Sequence, residues 1–323
     1  MFRKFAGVAA AAAIILASGA ALAAENFPSR PIHLIVPYPA GGIVDLVGRT
    51  LTDRISRDWN QSIIVEAKPG ANSDIGTALA ARSAPDGYTW IITGPALLVN
   101  PTFYKDAAWD PIRDFKCVGV AVWNQSVAVV PKALGVTTMK QFIDLAKSKP
   151  GQLNFGNPGV GSSIDLTARN LFAAADIKLT NVGYKGQPPA LLDLMSNQVQ
   201  FEIVSLALAM PQIKSGAIVP LAVFTQDRVK TLPDTPTIAE AGYPGAAYTP
   251  LYGIYAPAKT PEPVLKSINE AINKALAAPD VIERLSRADI PGKPMSLEAL
   301  AGLMKEDHER LTAVVKASGV KQQ

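Results

Sequence analysis

Ile32-His33-Leu34-Ile35-Val36-Pro37-Tyr38-Pro39-Ala40-Gly41-Gly42-Ile43-Val44-Asp45 is the stretch from which the fold class can be read. Residues 32–37 form a short, β-branched apolar run stopped by proline, the pattern of a buried strand. Gly41-Gly42 is a turn. Beyond it, Val44, Val47, Leu51, Ile55 and Trp59 recur at helical spacing, which predicts an amphipathic helix over 44–59. Downstream, Ile63-Ile64-Val65 reads as a second strand closed by Lys68-Pro69-Gly70, 75–83 as a helix, Pro85-Asp86-Gly87 as a turn and 88–93 as a third strand. Strands alternating with helices predict a parallel sheet covered on both faces.

The pattern then restarts. Strands are expected at 118–122 and 127–130, and a helix at 138–147 with Thr137 or Thr138 as its N-cap. Asn154-Phe155 leads into a second glycine-rich turn, Gly156-Asn157-Pro158-Gly159-Val160-Gly161-Ser162-Ser163, followed by a helix over 164–174. Short helices are expected at 190–196 and 210–215, and strands at 201–204, 219–224 and 253–257. Helices over 263–278, 281–287 and 297–316 close the chain. Two units, 32–47 and 153–171, therefore place a glycine-rich turn before a helix N-terminus. Free N–H groups there, together with the helix dipole, suit an anion such as a carboxylate. Ordinary strand-to-helix turns would look the same at this level, so spacing alone leaves both readings open.

The first residues carry an address. Arg3 and Lys4 precede an Ala-rich apolar run over 8–22, and Ala21-Leu22-Ala23 supplies the small residues of a cleavage site. This is the pattern of a secretory signal peptide over 1–23, too short for an ordinary membrane span, and its style points to the periplasm. Cys117 is the only cysteine, so no internal disulfide is possible. The 323 residues carry 31 basic and 27 acidic side chains; loss of Arg3 and Lys4 lowers the net charge from +4 to 29 − 27 = +2. That is too small for a nucleic-acid binder, and no basic stripe with interleaved aromatics is present. A length of about 300 residues suggests two domains.

Catalytic parts are hard to find. His33, in an expected buried strand, reads as a packed residue; His308, in a charged C-terminal helix, reads as a surface residue. Glu306 and Asp307 read as solvated helix face. There is no His-Glu-x-x-His motif, no thiolate zinc set, no Gly-Lys-Ser/Thr phosphate loop and no Gly-x-Ser-x-Gly elbow. No metal or cofactor is expected, and the balance favours a binding protein over an enzyme.

Several short motifs occur in a characteristic order. They are Phe27-Pro28-Ser29-Arg30-Pro31-Ile32; Val36-Pro37-Tyr38-Pro39-Ala40-Gly41-Gly42 with Asp45 and Arg49; and Val65-Glu66-Ala67-Lys68-Pro69-Gly70-Ala71-Asn72. Ala84-Pro85-Asp86-Gly87-Tyr88-Thr89, Asn181-Val182-Gly183-Tyr184-Lys185-Gly186, Asp234-Thr235-Pro236-Thr237 and Gly253-Ile254-Tyr255-Ala256-Pro257 follow. Each is weak alone. As an ordered set across the mature chain they resemble the Bug-type extracytoplasmic solute receptors of tripartite tricarboxylate transporters. The resemblance implies a two-lobed α/β fold similar to type II periplasmic binding proteins, each lobe a mixed sheet flanked by helices around a ligand cleft. One lobe would comprise 24–122 plus 250–323 and the other 123–249. It further implies a monomer that binds a small carboxylate and delivers it to transporter membrane subunits. Presentation of the ligand to a sensor kinase is the alternative.

By the same resemblance, the cleft would be lined by Tyr38, Pro39, Ala40, Gly41, Gly42 and Asp45, by Thr93, Gly94 and Pro95, and by Asn157, Gly159, Gly161, Ser162, Ser163, Asp165, Val204 and Ser205. Tyr184 and Lys185 are expected on the hinge side. Family members often carry His where this chain has Asp165, and Asp near Val204. A carboxylate gained at 165 and lost near 204 would favour a monocarboxylate, aromatic or amphipathic, over citrate. Asp45 and Asp165 could equally serve their own helix N-termini.

Overall fold

The computed structural model describes residues 27–103, 107–159, 161–287, 290 and 292–317; the expected signal peptide lies outside them. The chain runs through β1 (Ile32–Val36), α1 (Ile43–Trp59), β2 (Ile63–Ala67), α2 (Asp74–Ala81), β3 (Thr89–Thr93), α3 (Ala96–Phe103), α4 (Pro111–Asp114) and β4 (Phe115–Trp123). It continues with β5 (Ser126–Pro131), α5 (Met139–Ser148), β6 (Asn154–Asn157), α6 (Ser163–Ala175), β7 (Thr180–Gly183), α7 (Gln187–Met195), β8 (Glu202–Ser205), α8 (Leu206–Lys214) and β9 (Ile218–Val223). It ends with β10 (Leu251–Pro257), α9 (Glu262–Leu276), α10 (Pro279–Ser286) and α11 (Leu297–Ala317).

The first sheet has the order β2-β1-β3-β10-β4. Its β2-β1-β3 part is parallel, as the strand–helix alternation predicts, but β10 is antiparallel to both β3 and β4. In the second lobe β6 and β7 pair in parallel, β5 pairs antiparallel with β8 and β9, and a bridge between Phe155 and Phe201 joins the two groups. The resulting order, β7-β6-β8-β5-β9, repeats that of the first sheet. In each lobe the antiparallel strand, β10 or β5, is the one that has just arrived from the other lobe. The chain thus crosses twice, through Asn124-Gln125 and just before Leu251.

Both lobes are built on apolar periodicity. Ile32, Leu34 and Val36 alternate on one face of β1 and meet Val47, Leu51 and Ile55 of α1 with Ile268 and Ile272 of α9. The second lobe packs Phe142 of α5 on Phe201 as a stacked pair 4.5 Å apart, with Phe155 of β6 beside them. Each such side chain contributes about 1.5–3 kcal/mol on burial. Thr138 is the cap of α5, accepting from the Gln141 amide at 3.2 Å.

The structure differs from the sequence pattern in several places. Helix α3 and strand β7 have no counterpart in that pattern. Helix α3 contains Pro101 and buries residues all round, so it shows no amphipathic period. Strand β7 is short and largely exposed, and gains its strand character from its partner β6. His33 is not packed in the core: it projects half-exposed from β1 to Glu66 at 2.5 Å. His308 is half-buried, its Nδ1 lying 2.9 Å from the Leu98 carbonyl. Asp307 is buried rather than solvated, and burial raises its carboxyl pKa although Arg310 binds it at 2.8 Å.

Gly76 of α2 carries a prediction. A Cβ there would stand 2.7 Å from Pro37 Cβ and 3.0 Å from the Lys68 carbonyl oxygen. Helix propensity alone would make Gly76→Ala stabilising by about 1 kcal/mol. Overpacking against a proline and a carbonyl costs about 1–3 kcal/mol, so net destabilisation is expected on urea unfolding. A gain in stability would show that α2 is free to move away from the β1 loop.

Candidate functional site

The ends of β1 and β6 are built alike. After β1, the exposed loop 39–42 turns at Gly41 (φ +83°) into α1, whose N-cap Gly42 has no side chain to offer. The Gly41 amide instead donates to Asp45 Oδ2 at 3.0 Å, and Arg49 Nε reaches both oxygens of that carboxylate at 3.1 Å. After β6, the chain turns at Gly161 (φ +77°) into α6. The Gly161 amide donates to Asp165 Oδ2 at 2.9 Å, and Arg169 Nε donates to the same oxygen at 2.9 Å. Glycine, aspartate four residues on and arginine four further recur in both lobes. An L side chain at either glycine would be strained, because φ is positive.

The second loop is more tightly held. Asn157, fully buried, donates to Asp165 Oδ1 at 2.7 Å and accepts from the Gly159 amide at 2.9 Å. Ser162 is the N-cap of α6, accepting from the Asp165 amide at 3.2 Å. Asp165 is therefore not the cap; its carboxylate turns back to stitch the loop. Asp45 does the same in the first lobe. Burial pushes its pKa up, but the Arg49 and Gly41 hydrogen bonds and the Arg49 charge outweigh this and hold it below the usual range.

A polar group links residues that flank the two loops with residues at the chain crossings. The Tyr38 hydroxyl lies 3.3 Å from Thr93 Oγ1, and its ring packs edge-on to Tyr252 of β10 at 6.1 Å. The Tyr252 hydroxyl lies beside Ser163 of the second lobe and Asn124 of the hinge; burial raises its pKa. Asn124 Oδ1 lies 3.0 Å from Ser205 Oγ, and the Ser205 amide donates to Gln187 Oε1 at 3.3 Å. Tyr38, Tyr252, Ser163, Asn124, Ser205 and Gln187 thus connect both lobes through one group. Gly94 is needed here, because a Cβ would lie 2.7 Å from the Tyr252 ring. The lobes also touch where Leu166 of α6 joins Leu300, Met304 and Leu311 of α11 in one apolar cluster. A separate cavity of about 700 Å³ lies at the β4–β9 edge, lined by Trp123, Gln125, Thr225 to Thr231, Thr249, Ser286 and Ile290.

The model for the tripartite tricarboxylate transporter family receptor matches residues 47–320. A protein of Pseudomonas sp. (strain P51), described as a UPF0065 protein in the tcbD-tcbE intergenic region, is 37% identical over 95% of this chain and 91% of its own length. This chain belongs to the tripartite tricarboxylate transporter family of receptors, of the Bug type. Among solved structures, the periplasmic binding protein BugD superposes with a TM-score of 0.81 at 30% identity, covering 92% of this chain and 100% of that one. Rpa4515 of R. palustris, solved with adipate, gives 0.83 at 30% identity with the same coverages.

On this receptor the residues singled out from sequence divide into three groups. Pro39, Ala40, Gly41 and Gly42 form the exposed first loop, with Gly159 and Ser162 partly exposed in the second. Thr93, Gly94, Pro95, Asn157, Gly161, Ser163 and Ser205 are buried, as are Asp45 and Asp165, and Tyr38 is half-buried. Val204 is fully buried and packs with Val127, Val129 and Leu191. Tyr184 donates to Asp193 Oδ2 at 2.6 Å. Tyr252, Asn124 and Gln187 escaped the sequence reading, since nothing local marks them. Arg169 could have been found, because the Gly-x-x-x-Asp-x-x-x-Arg spacing occurs twice. Among the described residues no three His, Cys, Asp or Glu side chains gather as a metal site, and no helix is long and apolar enough to cross a membrane.

Proposed function

We propose that this receptor works in the periplasm after loss of residues 1–23, binds a small carboxylate between its lobes and delivers it, as a monomer, to transporter membrane subunits. The observation that carries this reading is the repeated loop. Two helix N-termini, each preceded by a glycine-rich turn whose shape its own Asp–Arg pair maintains, offer amides and positive dipole ends to an anion. The adipate-bound relative supports the ligand class. The hinge group around Tyr252 would let one ligand bias lobe closure, because it ties β10 to Ser163. The role is binding rather than turnover.

Asp165 already has Arg169, Gly161 and Asn157 as partners, and Val204 faces the core. With those partners and that packing, the two positions do not by themselves favour one charge of ligand, and mono- and dicarboxylates both stay in the class. No observation favours the sensor-kinase alternative.

A thermal-shift screen of the mature chain against adipate, malate, benzoate, amino acids and sugars tests this. A ligand at a hundred times its Kd stabilises by about 2.7 kcal/mol, which is roughly 5 °C or more for lobes of this size. A shift confined to carboxylates is expected. Stabilisation by a sugar or a cation alone would contradict the proposal. Tyr252→Phe is expected to keep the fold but weaken binding of the best acid severalfold in calorimetry; unchanged affinity would remove the hinge group from the account.

A further inference from the structure

The carboxyl ends of β1, β2 and β3 bring three hydroxyl groups together beside the first loop: Tyr38 after β1, Ser73 after β2 and Thr93 at the end of β3. Ligands of open α/β sheets collect at this edge. Tyr38 and Thr93 share one long contact of 3.3 Å, and the Gly94 amide lies near the phenol oxygen. Ser73 is 2% exposed and close enough to influence the phenol, yet its Oγ completes no hydrogen bond. A buried hydroxyl without a partner is costly, so a group that can pair with it is favoured there.

The backbone that puts Ser73 there is itself unusual. Ala71, Asn72 and Ser73 follow one another with φ of +45°, +47° and +72°, a conformation in which side chains are disfavoured. A fully buried Asn100 holds the segment: it donates to the Asn72 carbonyl at 2.9 Å and accepts from Asn72 Nδ2 at 3.2 Å. Next to Ser73, Asp74 also has a buried oxygen, Oδ1, with no partner. No lysine or arginine is among the described partners of Tyr38, Ser73 or Thr93.

We propose that Tyr38, Ser73 and Thr93 form a slot in the first-lobe wall that takes a hydroxyl group of the ligand, so that the receptor selects hydroxy-carboxylates. A hydroxyl both donates and accepts, as this trio requires. A second carboxylate would enter next to Asp74 with no cation to offset its charge, at a desolvation cost. The inference rests on the carboxylate-receptor reading, and its test separates the two.

Calorimetric titration of the mature chain would use matched acids: butanoate with 3-hydroxybutanoate, succinate with malate, phenylacetate with mandelate. The wild type is expected to bind the hydroxylated member of at least one pair about tenfold more tightly. Ser73→Ala and Ser73→Gly are expected to erase that preference while leaving the plain acid within about twofold. The glycine variant suits the positive φ and is expected to fold even if the alanine variant does not. Equal binding of both members by the wild type, or equal weakening of both in the variants, would overturn the slot and leave the carboxylate reading intact. If no acid in any pair binds the wild type, the carboxylate reading fails and the slot fails with it.

Discussion

Asp165→Ala is expected to lower the stability of the receptor by about 3 kcal/mol and to weaken binding of the best acid by tenfold or more. The carboxylate is 1% exposed and accepts from the Gly161 amide, Asn157 Nδ2 and Arg169 Nε. Removing it strands two buried donors and a guanidinium that is only partly solvated. Losing one partner of a buried pair costs about 3–5 kcal/mol; the solvent open to Arg169 pulls the value to the low end. The loop amides that would face the ligand lose their fixed direction at the same time. Asp45→Ala should cost less, about 1–2 kcal/mol, because Arg49 is 47% exposed and can turn to water. In a double-mutant cycle, Asp165→Ala with Arg169→Ala should cost less than the sum of the two single changes. Urea unfolding and calorimetry of the four proteins decide it. An Asp165→Ala protein within 0.5 kcal/mol (about the noise expected of a surface change) would show that the clamp holds nothing.

Glu202→Gln is expected to make the protein more stable, and increasingly so as pH rises. Glu202 lies on β8, fully buried, with neither carboxylate oxygen hydrogen-bonded. Burial pushes its carboxyl up to about 9 from the ordinary 4.5. The native pKa thus lies above the unfolded one, and between them the folded chain holds a proton that the unfolded chain has released. Stability is full below pH 4.5 and falls as pH climbs toward 9, at about 1.4 kcal/mol per unit. By pH 7.5 the loss is on the order of 4 kcal/mol. Glutamine cannot ionise, so the variant and the wild type should be close at pH 5 and diverge at pH 8. Urea unfolding at pH 5, 6.5 and 8 would show this. Parallel pH profiles would mean that Glu202 stays charged with partners found in solution.

What the sequence revealed depended on how local each signal was. Helix α1 was legible because Val47, Leu51 and Ile55 repeat at helical spacing and all three are buried. Both glycine-rich turns were legible because positive φ at Gly41 and Gly161 demands glycine. Helix α3 was hidden, because its residues are buried on every side and a uniform apolar run has no period. Asp45 and Asp165 were ambiguous between ligand and helix, and only the hydrogen bonds to Gly41 and Gly161 show both turned inward. Alternation along β8 puts Val204 in an apolar cluster and Ser205 next to Asn124, a difference the short apolar run does not reveal. The hinge group could not be read at all. Tyr38, Asn124, Ser163 and Tyr252 are far apart in sequence, and two chain crossings bring them together.

The most direct test of the central claim is amide hydrogen exchange of the mature chain with and without the acid that stabilises it best. Slowed exchange is expected in both 38–46 and 157–166 on the same titration, because one ligand would engage both helix N-termini. Slowing confined to 123–125 and 225–231, which border the cavity at the β4–β9 edge, would contradict it and place the ligand in that cavity.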